Sequence, residues 1–389
     1  MTQPAVPPPA ATPKPEWAPR MWQGCDFVAW MRLLVRNRFA VDFRFWYIGV
    51  LDTFASLFHT ALWLLEKLIY GRAVRKIELT APPIFILGHW RTGTTLLHEL
   101  LICDERFGYP TTYQCMDPSH FLLTERLFSR MFWFLMPSKR PMDNVKTGFD
   151  RPQEDEFALC MLGVGSPYAT IAFPNRPPQC QEYLDLEMVS REDLRHWKHA
   201  FLEFLKRVTY KTHKRLVLKS PPHTARIKVL QEMFPGARFI HIVRDPFVVY
   251  PSTINLWRTL YTTHGLQTPT FAGLEEHVLQ TFTLMHERLQ EGKRTLEPNQ
   301  FCEVRYEDLV LDPVGEIKKI YEQLQLDGFE QCLPRLKDYL ATVVGYETNR
   351  YQLSDAEKFK ISEHWGEYMQ RYGYGHAAPA QSLEASHAG

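Results

Sequence analysis

The sequence predicts an α/β fold: a central parallel β-sheet flanked by helices, with an apolar helical extension ahead of it. Three observations lead there. Ile84–Leu87 is a continuous apolar run of strand length between Pro83 and Gly88, and a helical stretch through Ile102 follows it. Arg215–Lys219 and residues 237–243 are two more such runs, joined by the helical segment Ile227–Met233 and the turn Pro235-Gly236. Strand, helix and strand with links this short read as a parallel crossover. A final run, Phe301–Arg305, again leads into helix.

Composition bounds the rest. A chain of 389 residues is expected to form two domains or one large α/β domain with insertions. With 45% hydrophobic and 23% charged residues it has material for a sizeable core. A net charge of +1 gives no global field for nucleic acid, so any anion site must be built locally. The seven cysteines are scattered, with neither a C-x-x-C pair nor zinc spacing, which predicts reduced thiols and no metal site. The Pro-rich start lacks the apolar core of a secretory signal, so a cytoplasmic protein is expected. The expected divisions are a disordered tail over 1–20, a helical extension over 21–78, the main domain over 79–374 and a disordered tail over 375–389.

Taken in order, the extension is aromatic and helical, with Phe27, Trp30, Leu34, Phe45 and Trp46. Its longest charge-free run is residues 53–65, thirteen residues between Asp52 and Glu66, which is short of the roughly 20 a membrane span needs. The reading is a helix buried against the main domain, with peripheral membrane contact through residues 44–76 as the alternative. A second strand is expected over 107–112. Residues 119–136 read as an aromatic helix, either core or the wall of a pocket for an apolar substrate. Over 151–159 Pro152 suits a first helical position and Glu154, Asp155 and Glu156 suit its dipole. Glu154 and Asp155 share a helical stripe with Ala158 and Met161, so one of them is a candidate general base. An amphipathic helix is expected over 191–210, and polar helix over 351–374.

The chemistry gathers at the strand ends. Gly88-His-Trp-Arg-Thr-Gly-Thr-Thr95 nearly spells the phosphate-binding G-x-x-x-x-G-K-[ST], but Thr94 occupies the lysine position and Arg91 stands inside the loop. Amides of such a loop, with the helix N-terminus behind it, point at an anion. Lys219 ends one strand and Arg244 follows another. Ligands of parallel sheets sit at the carboxyl ends of the strands, so these groups are expected to face one crevice.

These residues resemble the sulfotransferases that use 3′-phosphoadenylyl sulfate (PAPS). Residues 88–95 look like their 5′-phosphosulfate loop. Arg244 and Ser252, eight apart, look like their 3′-phosphate block, Lys219 like their strand-end lysine, and Tyr306-Glu-Asp-Leu309 like their adenine-side strand end. Leu218-Lys-Ser-Pro and Phe234-Pro-Gly-Ala-Arg-Phe are closer to the bacterial and tyrosylprotein branch than to the cytosolic aryl branch. The resemblance spans about residues 83–325 and implies a P-loop-like sulfotransferase architecture acting by in-line transfer without metal. It implies a PAPS site of His89, Arg91, Thr92, Gly93, Thr94, Thr95, Leu96, Arg244, Ser252, Tyr306 and Arg350, with Arg91 and Lys219 neutralising the leaving group. Departures leave the base open: Pro221 stands where the aryl branch has a histidine, and residues 112–115 lack the acid of the tyrosylprotein branch. Glu154, Asp155 and His223 are the candidates, in that order. Leu96 replaces an aromatic that stacks on adenine in the aryl branch. A hydrophobic or lipid-like hydroxyl acceptor and a homodimer are expected. A P-loop kinase or NTPase, and a non-catalytic membrane-associated protein, are the alternatives.

Overall fold

The computed structural model describes residues 20–131, 148–342 and 351–375. Its centre is a five-stranded sheet of β1 (Ile84–Leu87), β2 (Phe107–Gly108), β3 (Arg215–Lys219), β4 (Arg238–Val243) and β5 (Phe301–Arg305), in the order β2-β3-β1-β4-β5. Every pairing is parallel, with Ile86 opposite both Lys219 and Ile240, and Val243 opposite Arg305. β1 is fully buried on both faces, as strands covered by helices on either side must be. The second strand stops at Gly108 rather than running to residue 112. Thr111 instead caps a new helix by accepting from the Gln114 amide, and Gln114 bonds back to it.

The helices are α1 (Phe27–Arg36), α2 (Trp46–Arg75), α3 (Thr94–Leu101), α4 (Thr112–Met116), α5 (Phe121–Met131), α6 (Asp155–Met161), α7 (Arg191–Thr212), α8 (Ile227–Met233), α9 (Pro246–His264), α10 (Leu274–Lys293), α11 (Tyr306–Leu311), α12 (Pro313–Gln323), α13 (Phe329–Thr342) and α14 (Asp355–Tyr372). α7 buries Trp197, Phe201, Phe204, Leu205 and Val208, the stripe its sequence marks out. Pro152 does not open α6. It lies in an isolated bridge to Thr111, and Glu154 is the N-cap residue. α13 carried no sequence expectation.

Two elements differ more from expectation. α2 is not buried: only six of its thirty residues are, and those include Asp52 and Glu66. The two acids that interrupt its apolar run face the protein, while most of its large apolar side chains face outward. α14 reads as polar yet buries Ile361, Trp365, Tyr368 and Met369. Trp365 stacks on Phe282 of α10 at 3.9 Å between centroids. On α5, Phe121 is core, packed on Phe204, whereas Leu127 and Met131 point outward; residues 132–136 of that expected wall lie outside the described residues.

Candidate active site

Four strand ends meet at the carboxyl edge of the sheet. After Leu87 the chain turns through Gly88 (φ 152°), Arg91 (φ 71°) and Gly93 (φ 103°). A Cβ on Gly88 would lie 2.6 Å from Thr92 Oγ1, and one on Gly93 2.3 Å from the Tyr306 ring, so only glycine fits either place. Arg91 holds left-handed backbone despite its side chain, a strained conformation of the kind found at ligand sites. Thr92 Oγ1 donates to the His89 carbonyl at 2.7 Å, and the Gly88 amide donates to Thr224 Oγ1 at 2.8 Å. α3 starts directly after Gly93, and helix geometry leaves its first-turn amides, those of Thr94, Thr95 and Leu96, without intrahelical acceptors. The result is a tight cradle at the positive end of a helix dipole.

On one side of this cradle sits a cationic cluster. Arg91 Nε donates to Ser252 Oγ at 2.9 Å, and Arg244 Nη1 donates to the Arg91 carbonyl at 2.9 Å. The Arg244 guanidinium lies 3.9 Å from the Tyr306 ring centroid, a cation–π contact. Tyr368 of α14 locks the Arg244 backbone from both sides: its hydroxyl accepts from the amide and donates to the carbonyl, each at 2.9 Å. Arg91 is thus joined to Arg244 and Ser252. His89 is buried beneath the loop among Trp90, Phe282 and Trp365. Burial lowers its ring pKa to about 3, so it stays neutral there. Leu96 packs into the core on the β5 side, and Arg350 lies outside the described residues.

The second group forms where α6 begins. The three acids at its start each meet a basic residue from the end of β3 or the chain that follows it: Glu154 with Lys219 at 2.8 Å, Asp155 with His223 at 2.6 Å and Glu156 with Arg226 at 2.5 Å. Both members of the last two pairs have completely buried side chains, while Glu154 remains 14% exposed. Burial alone would raise the Asp155 carboxyl, but His223 and the hydrogen bonds around it hold it below the usual range. Those two pairs pin the base of α6. Glu154, the third acid, is the one with access to a ligand. Its other oxygen accepts from the Tyr168 hydroxyl, which in turn accepts from Trp90 Nε1 at 2.9 Å. Burial, then the Glu154 charge, pushes the Tyr168 phenol well above its usual range, so it stays a donor. Tyr168, Trp90 and Tyr368 escaped sequence reasoning. None lies in a strand-end pattern apart from Trp90, which stands inside the loop motif with no role of its own assigned.

Among the described residues one His/Asp group has donor atoms within 4.8 Å of one another: His59, Asp117 and His120. The two rings are nearly parallel, and their nitrogens approach to 2.6 Å, closer than stacked faces allow. That is an N–H···N bond joining α2 to the start of α5, a different geometry from two ligands converging on one ion.

Known proteins resemble this chain in sequence and in fold. The family described as "Sulfotransferase family" matches residues 82–331. Two relatives, from Mycobacterium bovis and Mycobacterium tuberculosis and each named omega-hydroxy-beta-dihydromenaquinone-9 sulfotransferase Stf3, are 52% identical over 364 residues, covering 94% of this chain and 94% of each relative. Among solved structures, sulfotransferase STF9 from Mycobacterium avium is similar with a TM-score of 0.64 at 20% identity, covering 80% of this chain and 82% of that one. Sulfotransferase STF1 from Mycobacterium tuberculosis gives 0.57 at 18% identity, over 82% and 87%. These two share the fold. By the family match and by identity along nearly its whole length, the chain belongs to the sulfotransferase family and is a sulfotransferase.

Proposed function

We propose that this chain moves the sulfonate of PAPS to a terminal hydroxyl of a long apolar acceptor, a hydroxylated menaquinone being the leading candidate. The observation that carries the donor is the two-sided cation arrangement. An amide cradle at a helix N-terminus is flanked by Arg91, Arg244 and Ser252 on one side and by Lys219 on the other. A metal-dependent triphosphate site would need a lysine at Thr94. The acceptor class rests on the 52% identity to enzymes named for an omega-hydroxylated dihydromenaquinone.

PAPS supplies an activated sulfonate whose leaving group is an anionic phosphate. The amides of residues 92–95 hold the phosphosulfate, and Arg244 with Ser252 holds the 3′-phosphate. Tyr306, on which Arg244 lies, borders the adenine side. Lys219 stabilises the negative charge that grows on the departing oxygen. Glu154 accepts the acceptor's hydroxyl proton as that oxygen bonds to sulfur and the sulfur–phosphate-oxygen bond breaks. Tyr168 keeps the Glu154 carboxylate aimed. The aromatic group Trp90, Phe157 and Trp257, packed with Tyr168, which bonds this acid, suits an apolar chain. The test is transfer of labelled sulfonate from PAPS to an omega-hydroxylated menaquinone, with an unhydroxylated one as control. Product from the hydroxylated acceptor alone supports the reading, and transfer into a peptide or glycan fraction instead overturns it.

A further inference from the structure

We infer that the outer face of α2 is a one-leaflet docking surface for an anionic lipid bilayer. This deepens the lipid-acceptor reading and rests on it only for the purpose of such a surface; the surface itself is argued from the helix. Every exposed position over residues 46–65 is apolar or aromatic, and the exposed face continues through Leu68 and Ile69. Phe54 is 68% exposed and Leu68 81%. A stripe of this length on a soluble monomer is far from ordinary, because isolated apolar side chains rather than contiguous faces are what water-facing surfaces carry.

Length and hydropathy alone would let this helix cross a membrane. Its packing does not. Asp52 is 0% exposed and Glu66 2%, both turned into the protein. Thr53 and Thr60 accept from Trp30 Nε1 and the Phe27 amide of α1, each at 2.9 Å. Glu66 accepts from the Leu123 amide of α5 at 3.1 Å and lies 3.8 Å from Arg207 of α7. With one side fastened to protein along its length, lipid reaches only the other side. The helix lies in the interface, over about 45 Å at 1.5 Å per residue.

Charge selects the occupant. Arg44 lies at one end of the face, and Lys67, Arg72, Arg75 and Lys76 at the other, all exposed. Along the chain, the nearest acids not buried, Asp42 and Glu78, lie beyond the helix; from elsewhere in the fold Asp117 reaches His59 of α2 at 3.6 Å, and His59 is not one of the exposed positions of the stripe. A second copy docked on this face meets cations with cations in either helix orientation: antiparallel pairing sets Arg44 against the Lys67–Lys76 end, and parallel pairing sets each end against itself. Anionic headgroups complement both ends at once. Trp46 and Tyr47 stand at the helix start, suited to the headgroup boundary. The same N-terminal unit abuts the active site. α1 packs so closely on the end of α6 that a Cβ on Gly163 would lie 2.7 Å from the Ala29 Cβ, and α6 begins beside Glu154.

The test is flotation of the full chain with phosphatidylcholine vesicles, with and without phosphatidylglycerol. The wild type is expected to float, more strongly on the anionic vesicles. Phe54→Glu/Leu68→Glu is expected to weaken partition at least about tenfold, and Lys67→Glu/Arg75→Glu to abolish the preference for phosphatidylglycerol. Thermal shift with adenosine 3′,5′-bisphosphate (PAP) is expected to stay unchanged in both variants, which establishes that they fold. Wild type that stays with neither vesicle overturns the inference, as does a wild-type dimer in sedimentation velocity that Phe54→Glu splits without lipid. Flotation without sulfonate transfer leaves this surface standing and removes the acceptor reading.

Discussion

Glu154, Asp155 and Glu156 are adjacent, and only their partners distinguish them. Glu154 shares its two oxygens between Lys219 and Tyr168 at the crevice, whereas Asp155 and Glu156 are sealed against His223 and Arg226. Glu154→Gln is therefore expected to lower kcat by about 100- to 10,000-fold, while PAP affinity by calorimetry stays within a small factor. Asp155→Asn should act on stability instead, because it leaves His223 buried beside a neutral amide. The expected loss is about 3–5 kcal/mol in urea unfolding at neutral pH. A carboxyl held below its unfolded value stabilises the fold above about pH 4, and that contribution is lost as pH falls through the folded value. The gap between wild type and Asp155→Asn should accordingly narrow below that pH. Kinetic loss without stability loss in Asp155→Asn would reverse the two roles.

The loop before α3 and the helix α14 work as one element pair. Gly93 leaves room for the Tyr306 ring, Arg244 lies on that ring, and Tyr368 of α14 holds the Arg244 backbone. Arg244→Ala is expected to weaken PAP binding by more than about tenfold, since a charge-assisted anchor is lost; equal affinity by calorimetry would remove the 3′-phosphate assignment. Trp365→Ala should reach the same site from a distance. It empties a fully buried stack against Phe282, costing about 3–5 kcal/mol, and loosens the helix that positions Tyr368. Chemical denaturation and PAP titration together check this, both being expected to fall.

At the scale of the molecule, the sheet edge gathers groups from residues 88 to 368, so ligand binding should stabilise the whole domain. PAP at a hundred times its Kd is expected to add about 2.7 kcal/mol, read as a rise in Tm that Arg244→Ala removes at the same concentration. The outer face of α2 has a separate logic. It contributes nothing to the interior packing, and its value is set by what covers it.

The parallel sheet, the loop after β1 and the cations at the strand ends are readable along the chain. Strand ends are local: an apolar run bounded by Pro and Gly, followed by helix, specifies both the strand and the end at which the loop leaves it. Gly88, Gly93, Lys219 and Arg244 were legible for that reason, and so was the family. Packing sets which of three adjacent acids meets solvent, because Lys219, His223 and Arg226 approach from more than sixty residues away. It likewise turned Arg91 toward Ser252 and brought Tyr168, Tyr368 and Trp365 to the site. The same reason explains α2. A linear count sees Asp52 and Glu66 as interruptions, but a helix has sides. Fastened inward, the two acids leave the outward side unbroken, and no run length along the chain reports that.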